Sequence, residues 1–419
     1  MSKSPLIRVR FHSDCDYFSG SENMLANFFS DERLLRECDV SFSYRASAAY
    51  EEGLKARVPR LPRLIPLRVV DFHQVSSRSN GWPAPLRIIH KSLLRLLLVK
   101  YWLAVWNVAV LYRSMGPESV DILQINNGGF PGAVSCLAAG IAGRLRGVKV
   151  IVHVVNNLAV PYGGVDRWLD WPLDRLAALA ASRFATGSEF ARRSLLRVLN
   201  LDDGKAVSLP NGIASRELTE TADEVRWRLG AAEGHLLIAV VAVLEPRKGH
   251  RVLLEALARM KKEGLAPLPV TALGGDGPLR PELESLCREL GLEGDVRFLG
   301  WEPRHFDLFN AADIVALPST GYEDFPNVTI EAMSLGKAVV ATRVGGVEEQ
   351  FEDEASGLLV RPGDAADLAR ALGRVCRDAA LRERLGRGAA SRFHDRFTAR
   401  AAVDRYLKLY AALLPPRIV

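Results

Sequence analysis

Residues Pro318–Gly346 read PSTGYEDFPNVTIEAMSLGKAVVATRVGG, and the organisation of the whole chain can be worked out from them. Two short apolar runs, Ile314–Leu317 just before the stretch and Ala338–Ala341 within it, read as strands. Between them lie two carboxylates eight positions apart, Glu323 on a loop and Glu331 just inside a helix that Asn327 is expected to cap. Strand, loop, helix and strand in this order form a βαβ unit, whose loop leaves the carboxyl end of a parallel strand. Open α/β sheets bind their ligands there. Apart from Glu348 and Glu349 just past its end, the stretch lacks the repeated acids and histidines of a metal site. The pair suits the hydrogen bonding of hydroxyls better than the holding of a cation.

The same alternation runs through the rest of the chain. Upstream strands are expected at Ile7–Phe11, Asp39–Tyr44, Leu67–Phe72, Ile122–Ile125, Val148–Val155, Arg183–Thr186 and Val207–Leu209. Downstream they are expected at Leu236–Val243, Val270–Leu273 and Val296–Leu299, besides the two already named. With 419 residues, the chain is long for one core. Two doubly wound α/β domains are therefore predicted, 1–213 and 214–397, hinged near residues 213 to 230 and leaving a cleft between them. Residues 398–419 contain an amphipathic helix with Ala402, Tyr406, Leu409 and Leu413 on one stripe.

Composition narrows the function. A content of 48% hydrophobic and 25% charged residues is that of a soluble globular protein. Five scattered cysteines without a C-x-x-C pair argue against a disulfide framework or zinc ribbon, and for a reducing compartment. The start MSKSPLIRVRF lacks the apolar core of a signal peptide, so a cytoplasmic location is expected. A net charge of +6 fits phosphorylated substrates or an anionic membrane; no zinc-finger spacing or RNA-binding aromatic motif supports nucleic acid. The segment Leu86–Met115 is apolar and basic, with no acid between Asp71 and Glu118. It reads first as a core-facing helix of the first domain. A face resting on an anionic bilayer is the alternative, and a membrane span fits least because Lys100 interrupts the run.

On the donor side, Lys248 and Gly249 follow an apolar strand in VVAVLEPRKGH and open the helical run Arg251–Lys262. A cation at a strand's carboxyl end, beside a helix amino terminus, is placed to neutralise a diphosphate. Arg247 offers a second charge. Gly274-Gly275-Asp276-Gly277-Pro278 follows another strand, but Arg280 stands where a dinucleotide fingerprint needs its third glycine, so a tight turn lining the nucleotide cleft is expected at Gly275.

The E-x7-E pair, the EAM after it, VVAT and the GG-x-E ending together resemble family 4 of the retaining, nucleotide-sugar-dependent glycosyltransferases, which adopt the two-domain GT-B fold. The resemblance implies two Rossmann-like domains facing across a deep cleft, with the last helix crossing back to the first domain. It implies Lys248 on the diphosphate, Glu331 on the ribose, and Glu323 near the transferred sugar with backbone groups of Asp324, Phe325, Pro326 and Asn327 beside it. No metal or other cofactor is implied; a UDP- or GDP-sugar is the co-substrate, and a glycan or lipid-linked acceptor the partner. One departure stands out, since Val243 occupies a position where many relatives have arginine.

For the acceptor side, Ser19-Gly20-Ser21 resembles the family's glycine-rich loop, with Gly20 making a close backbone contact. Asn127 and Gly128, in INNGGFPGA, fit a sugar-binding or close-packing turn, a run resembling members that build surface polysaccharides or glycolipids. In VIVHVVNN either His153 or Asn156 takes the next position, and Ser188 with Arg192 resembles a segment near the cleft that serves structure or substrate. Two other classes compete: a nucleotide-sugar epimerase or phosphorylase of the same architecture, and a noncatalytic glycan-binding subunit.

Overall fold

The structure is a computed structural model that describes residues 6–16, 18, 22–58, 60–116, 120–231, 234–321 and 323–414. Two compact units divide the chain, one reaching to Pro210 and resuming at Ala402, the other spanning Asn211–Ala401. Residues 211–213 and 398–401 fall to the second unit because Ile213 bridges Thr398 and is buried with Phe397 in that unit's core.

In the first unit β1 (Ile7–Ser13), β2 (Cys38–Arg45), β3 (Arg63–Leu67), β4 (Ile122–Asn127), β5 (Val150–Val155), β6 (Arg183–Thr186) and β7 (Ala206–Ser208) form one parallel sheet. Its order is β3-β2-β1-β4-β5-β6-β7. Every residue of β4 and β5 is buried, as a parallel sheet covered on both faces requires. In the second unit β8 (Leu237–Val241), β9 (Val270–Gly274), β10 (Val296–Gly300), β11 (Ile314–Leu317), β12 (Ala338–Thr342) and β13 (Leu358–Val360) are ordered β10-β9-β8-β11-β12-β13. Each order reverses once, between β1 and β4 in one sheet and between β8 and β11 in the other. Loops leaving those neighbours turn to opposite faces and open a crevice.

Tyr406 and Tyr410 of the helix Ala399–Leu413 are buried in the first unit's core, with Tyr406 edge-on to Phe28 at 5.0 Å. Leu409 and Leu413 pack against that core, so the expected stripe is the buried one. The strand expected at Leu67–Phe72 lies earlier, at Arg63–Leu67. Asp71 and Gln74 instead form a capping box that starts the helix Phe72–Ser76.

The basic apolar segment departs most from expectation. It folds as two helices, Ala84–Leu96 and Val99–Ser114, bent by 58° where Leu98 adopts a left-handed φ of 49°. A core-facing role holds only for the second helix, through Ala104, Asn107 and Leu111; the first has no buried residue. Among the described residues no single helix is long and apolar enough to cross a membrane.

Candidate functional site

Site geometry in the second unit starts with a glycine. After β8 the chain makes a 3-10 turn, Pro246–Lys248, and Gly249 at φ +69° then starts the helix His250–Lys262. A Cβ on Gly249 would lie 1.9 Å from the Pro318 carbonyl oxygen, so only glycine lets this turn rest on the loop after β11. The Thr320 amide donates to the Arg247 carbonyl at 2.7 Å and closes the contact. Lys248 Nζ is thereby brought to 2.6 Å from Glu323 Oε1. Ser319 donates its hydroxyl to the same oxygen at 2.7 Å, and the Arg247 guanidinium lies 3.7 Å away while pairing with Glu245 at 2.7 Å. Glu323 and Asp324 are both buried.

The rest of the motif supports that loop. Thr342, the threonine of VVAT, donates to the carbonyls of Leu317 and Ser319. Gly345 has φ +55°, and a Cβ there would meet the Glu323 carbonyl oxygen at 1.7 Å, while the Gly346 amide donates to the same oxygen at 3.3 Å. The GG pair is thus the seat of the Glu323 backbone. Gly345→Ala is expected to destabilise the protein by roughly 2–4 kcal/mol, from overpacking and left-handed backbone strain together. A thermal midpoint equal to wild type would show that the seat is not needed.

Glu331 is the fifth residue of the helix Asn327–Ser334, one turn further in than the opening turn. Pro326 occupies the cap position, so Asn327 is the first helical residue rather than the cap. The buried Glu331 carboxylate receives Arg216 at 3.1 Å on one oxygen and lies 3.3 Å from His305 Nε2 on the other. Thr219, pinned to Asp307, holds the Arg216 segment against the helix His305–Ala311. Asp324, Phe325 and Pro326 form the loop that links Glu323 to this helix.

Gly275 and Gly277 allow close packing of loops. Cβ atoms there would stand 2.0 Å from the Ala242 carbonyl oxygen and 2.6 Å from that of Leu244. Val243 between them is exposed, and Arg247 lies in the Glu323 cluster. Among the described residues no group of three or more His, Cys, Asp or Glu is arranged to hold a metal ion.

In the first unit, Gly20 lies outside the described residues. Asn127 is buried, and its amide donates to the Pro131 carbonyl and to His153 Nε2, each at 3.1 Å. Gly132, not Gly128, is the glycine this turn demands: it has φ +63°, and its Cβ would lie 1.9 Å from Asn127 Oδ1, whereas one on Gly128 meets nothing within 4 Å. His153 is buried between Phe130 and Phe184, and burial lowers its pKa to about 3. Asn156 is the residue at the mouth of β5, donating to Asn126 Oδ1 at 2.8 Å. Ser188 caps the helix Glu189–Leu199, and Arg192 pairs with Glu189 and Asp203.

Sequence reading missed the groups that fill the β1–β4 crevice. Asp14, the first residue past β1, meets Arg45 at 2.5 Å and accepts from Ser135. Burial pushes the Asp14 carboxyl up, against the pull of Arg45. Glu22 is fully enclosed, accepting from Ser13 at 2.8 Å and Tyr50 at 2.9 Å, and burial raises its pKa as well. A cavity of about 310 Å³ opens beside Asp14, Arg45, Asp71, His73, Gln74 and Gly132. An acid directly after a central strand was the one available signal.

Residues 221–392 match the family model described as Glycosyl transferases group 1. LpsD of Rhizobium meliloti strain 1021, a lipopolysaccharide core biosynthesis glycosyltransferase, is 37% identical over 164 residues, 39% of this chain and 46% of that protein. A D-inositol 3-phosphate glycosyltransferase of Corynebacterium kroppenstedtii is 40% identical over 191 residues, 43% of this chain and 42% of that protein. The chain thus matches less than half the length of these curated relatives. The crystal structure of Anabaena HepE in complex with UDP aligns with a TM-score of 0.74 at 20% identity, covering 97% of this chain and 100% of that one.

Two doubly wound units with this likeness define the GT-B fold. The likeness to the group 1 glycosyltransferases lies in the second unit.

Proposed function

We propose that this chain is a retaining glycosyltransferase of family 4 that moves a hexose from a UDP- or GDP-sugar to a glycan or lipid-linked acceptor. The cell-surface polysaccharide or glycolipid pathways are the setting, at the cytoplasmic face of an anionic membrane. One observation carries the reading: Lys248, Arg247 and Glu323 cluster at the β8–β11 switch point, where doubly wound sheets take their ligands. Support comes also from the lipopolysaccharide relative and from the UDP-bound fold neighbour.

Breaking the sugar–phosphate bond leaves negative charge on the diphosphate and positive charge on the sugar. Lys248 and Arg247 stabilise the former without a metal, because fixed cations in a partly buried site need no reorganisation. An incoming diphosphate competes for the Lys248 ammonium, and Glu323 then accepts hydrogen bonds from sugar hydroxyls. Attack comes from the leaving-group face, and the acceptor's proton passes to the departing diphosphate. Glu331 receives the ribose hydroxyls.

Thermal-shift measurements with nucleoside diphosphates and their sugars test the reading. One base should raise the midpoint selectively, by an amount equivalent to about 2.7 kcal/mol at a hundredfold excess over Kd. Absence of a shift with every nucleotide tried would overturn it. An epimerised sugar nucleotide formed from donor alone would replace transfer with epimerisation.

A further inference from the structure

The helix pair Ala84–Leu96 and Val99–Ser114 carries apolar surface that none of the described residues of the first unit covers. Ile88, Leu93, Leu96, Leu97, Trp102 and Trp106 are all exposed, Leu96 by 77% and Trp102 by 72%. Contiguous apolar patches of this kind mark interaction surfaces. Three observations say what covers this one.

The first is charge. Between Asp71 and Glu118 there are six cations, Arg78, Arg87, Lys91, Arg95, Lys100 and Arg113, and no acid, which matches the +6 of the entire chain. A second copy of this surface would bring like charges together, whereas an anionic bilayer complements them. The second is the placing of tryptophan. Of seven in the chain, Trp102, Trp106, Trp168 and Trp171 are exposed on this pair or on the adjoining helices Gly164–Leu169 and Trp171–Ala180, and Trp82 is exposed in the turn that leads into the pair. Indole, apolar with one polar edge, collects at membrane interfaces.

The third is a cavity of about 380 Å³ behind the pair, lined by Lys91, Arg95, Lys100 and Arg167 against Asp166 and Asp170. Arg95 pairs with Asp166 at 2.5 Å and Lys100 with Asp170. Lys91 has no ion pair among the described residues, so the cavity holds surplus positive charge.

We propose that the helix pair is a monotopic membrane seat whose apolar ridge dips into one leaflet of an anionic bilayer while the basic cavity behind it takes the phosphate headgroup of a lipid from that leaflet. The 58° bend suits lying along the interface rather than crossing it. Phe72 and Ser76 line this cavity, while His73 and Gln74 of the same helix line the cavity beside Asp14. A membrane-borne acceptor is thus drawn from the same leaflet; that last step rests on the proposed transfer activity, whereas the seat itself does not.

Flotation with vesicles, without donor or acceptor, separates the two. Wild-type protein should bind vesicles of equal parts phosphatidylcholine and phosphatidylglycerol on the order of 10–100-fold more tightly than phosphatidylcholine alone. Leu96→Glu with Leu97→Glu, both exposed positions, should abolish binding while keeping the melting midpoint. Lys91→Glu should erase the preference for the anionic lipid. Failure of wild type to float with anionic vesicles, or unchanged binding by the double variant, overturns the seat even if transfer is active. A dimer in solution that ignores vesicles would show a second copy to be the occupant.

Discussion

Lys248→Ala is expected to lower kcat/KM for sugar transfer by about 10²–10³-fold, the loss typical of removing one preorganised group that faces developing charge. The effect should fall mainly on kcat, because diphosphate charge grows as the bond to the sugar breaks, and only interactions that strengthen in the transition state accelerate it. Folding should change little. Glu323 loses the ammonium at 2.6 Å but keeps the Ser319 hydroxyl at 2.7 Å and Arg247 at 3.7 Å. The carboxylate is therefore not stranded, and the cost stays well below the roughly 3–5 kcal/mol of breaking an isolated buried pair. Because the two side chains share one bond, adding Glu323→Gln to Lys248→Ala should give a combined loss smaller than the product of the single losses. Wild-type kcat/KM in Lys248→Ala would remove this residue from the reaction.

How far the sequence announced this site depends on whether the signal was local. The E-x7-E spacing, KG and GG sit on consecutive loops of one sheet, so their positions translate directly into a crevice once the strands are placed. What the motif could not show is why its glycines are there. Gly249 and Gly345 are steric clearances for the carbonyls of Pro318 and Glu323, contacts between loops distant in sequence. Arg216 and His305, which meet Glu331, come from segments carrying no motif at all. In the first unit, Pro66 hid the third strand, since proline usually demotes a strand; β3 tolerates it because it is at the sheet's edge. His153 and Asn156 could not be ranked until the strand's register put one inside the core and the other at its end. In the second helix of the pair apolar residues lie on all sides and periodicity has no face to report; the first has an apolar face, yet none of its residues is buried, so the pattern alone did not say what that face meets.

Glu331→Gln should raise the Kd for a nucleoside diphosphate by about 10–100-fold, the equivalent of roughly 1.5–3 kcal/mol for hydrogen bonds to a charged acceptor. Glutamine keeps the shape and one acceptor oxygen but gives up the charge that faces Arg216 at 3.1 Å. Glu331→Ala would confuse the issue, for it leaves Arg216 without its counter-ion and lowers stability for reasons unrelated to the ligand. The isosteric change separates two roles. If Glu331 receives the ribose diol, affinity falls for the free nucleotide as much as for the sugar nucleotide, because the ribose is present in both. KM for the donor then rises while kcat is nearly kept, the mark of a contact made equally in ground and transition states. If the carboxylate serves only to hold Arg216 and His305 in place, calorimetric titration would return the wild-type nucleotide affinity and only the melting midpoint would drop. The contrast with Lys248→Ala, where kcat takes the loss, is what assigns one residue to holding the nucleotide and the other to its departure.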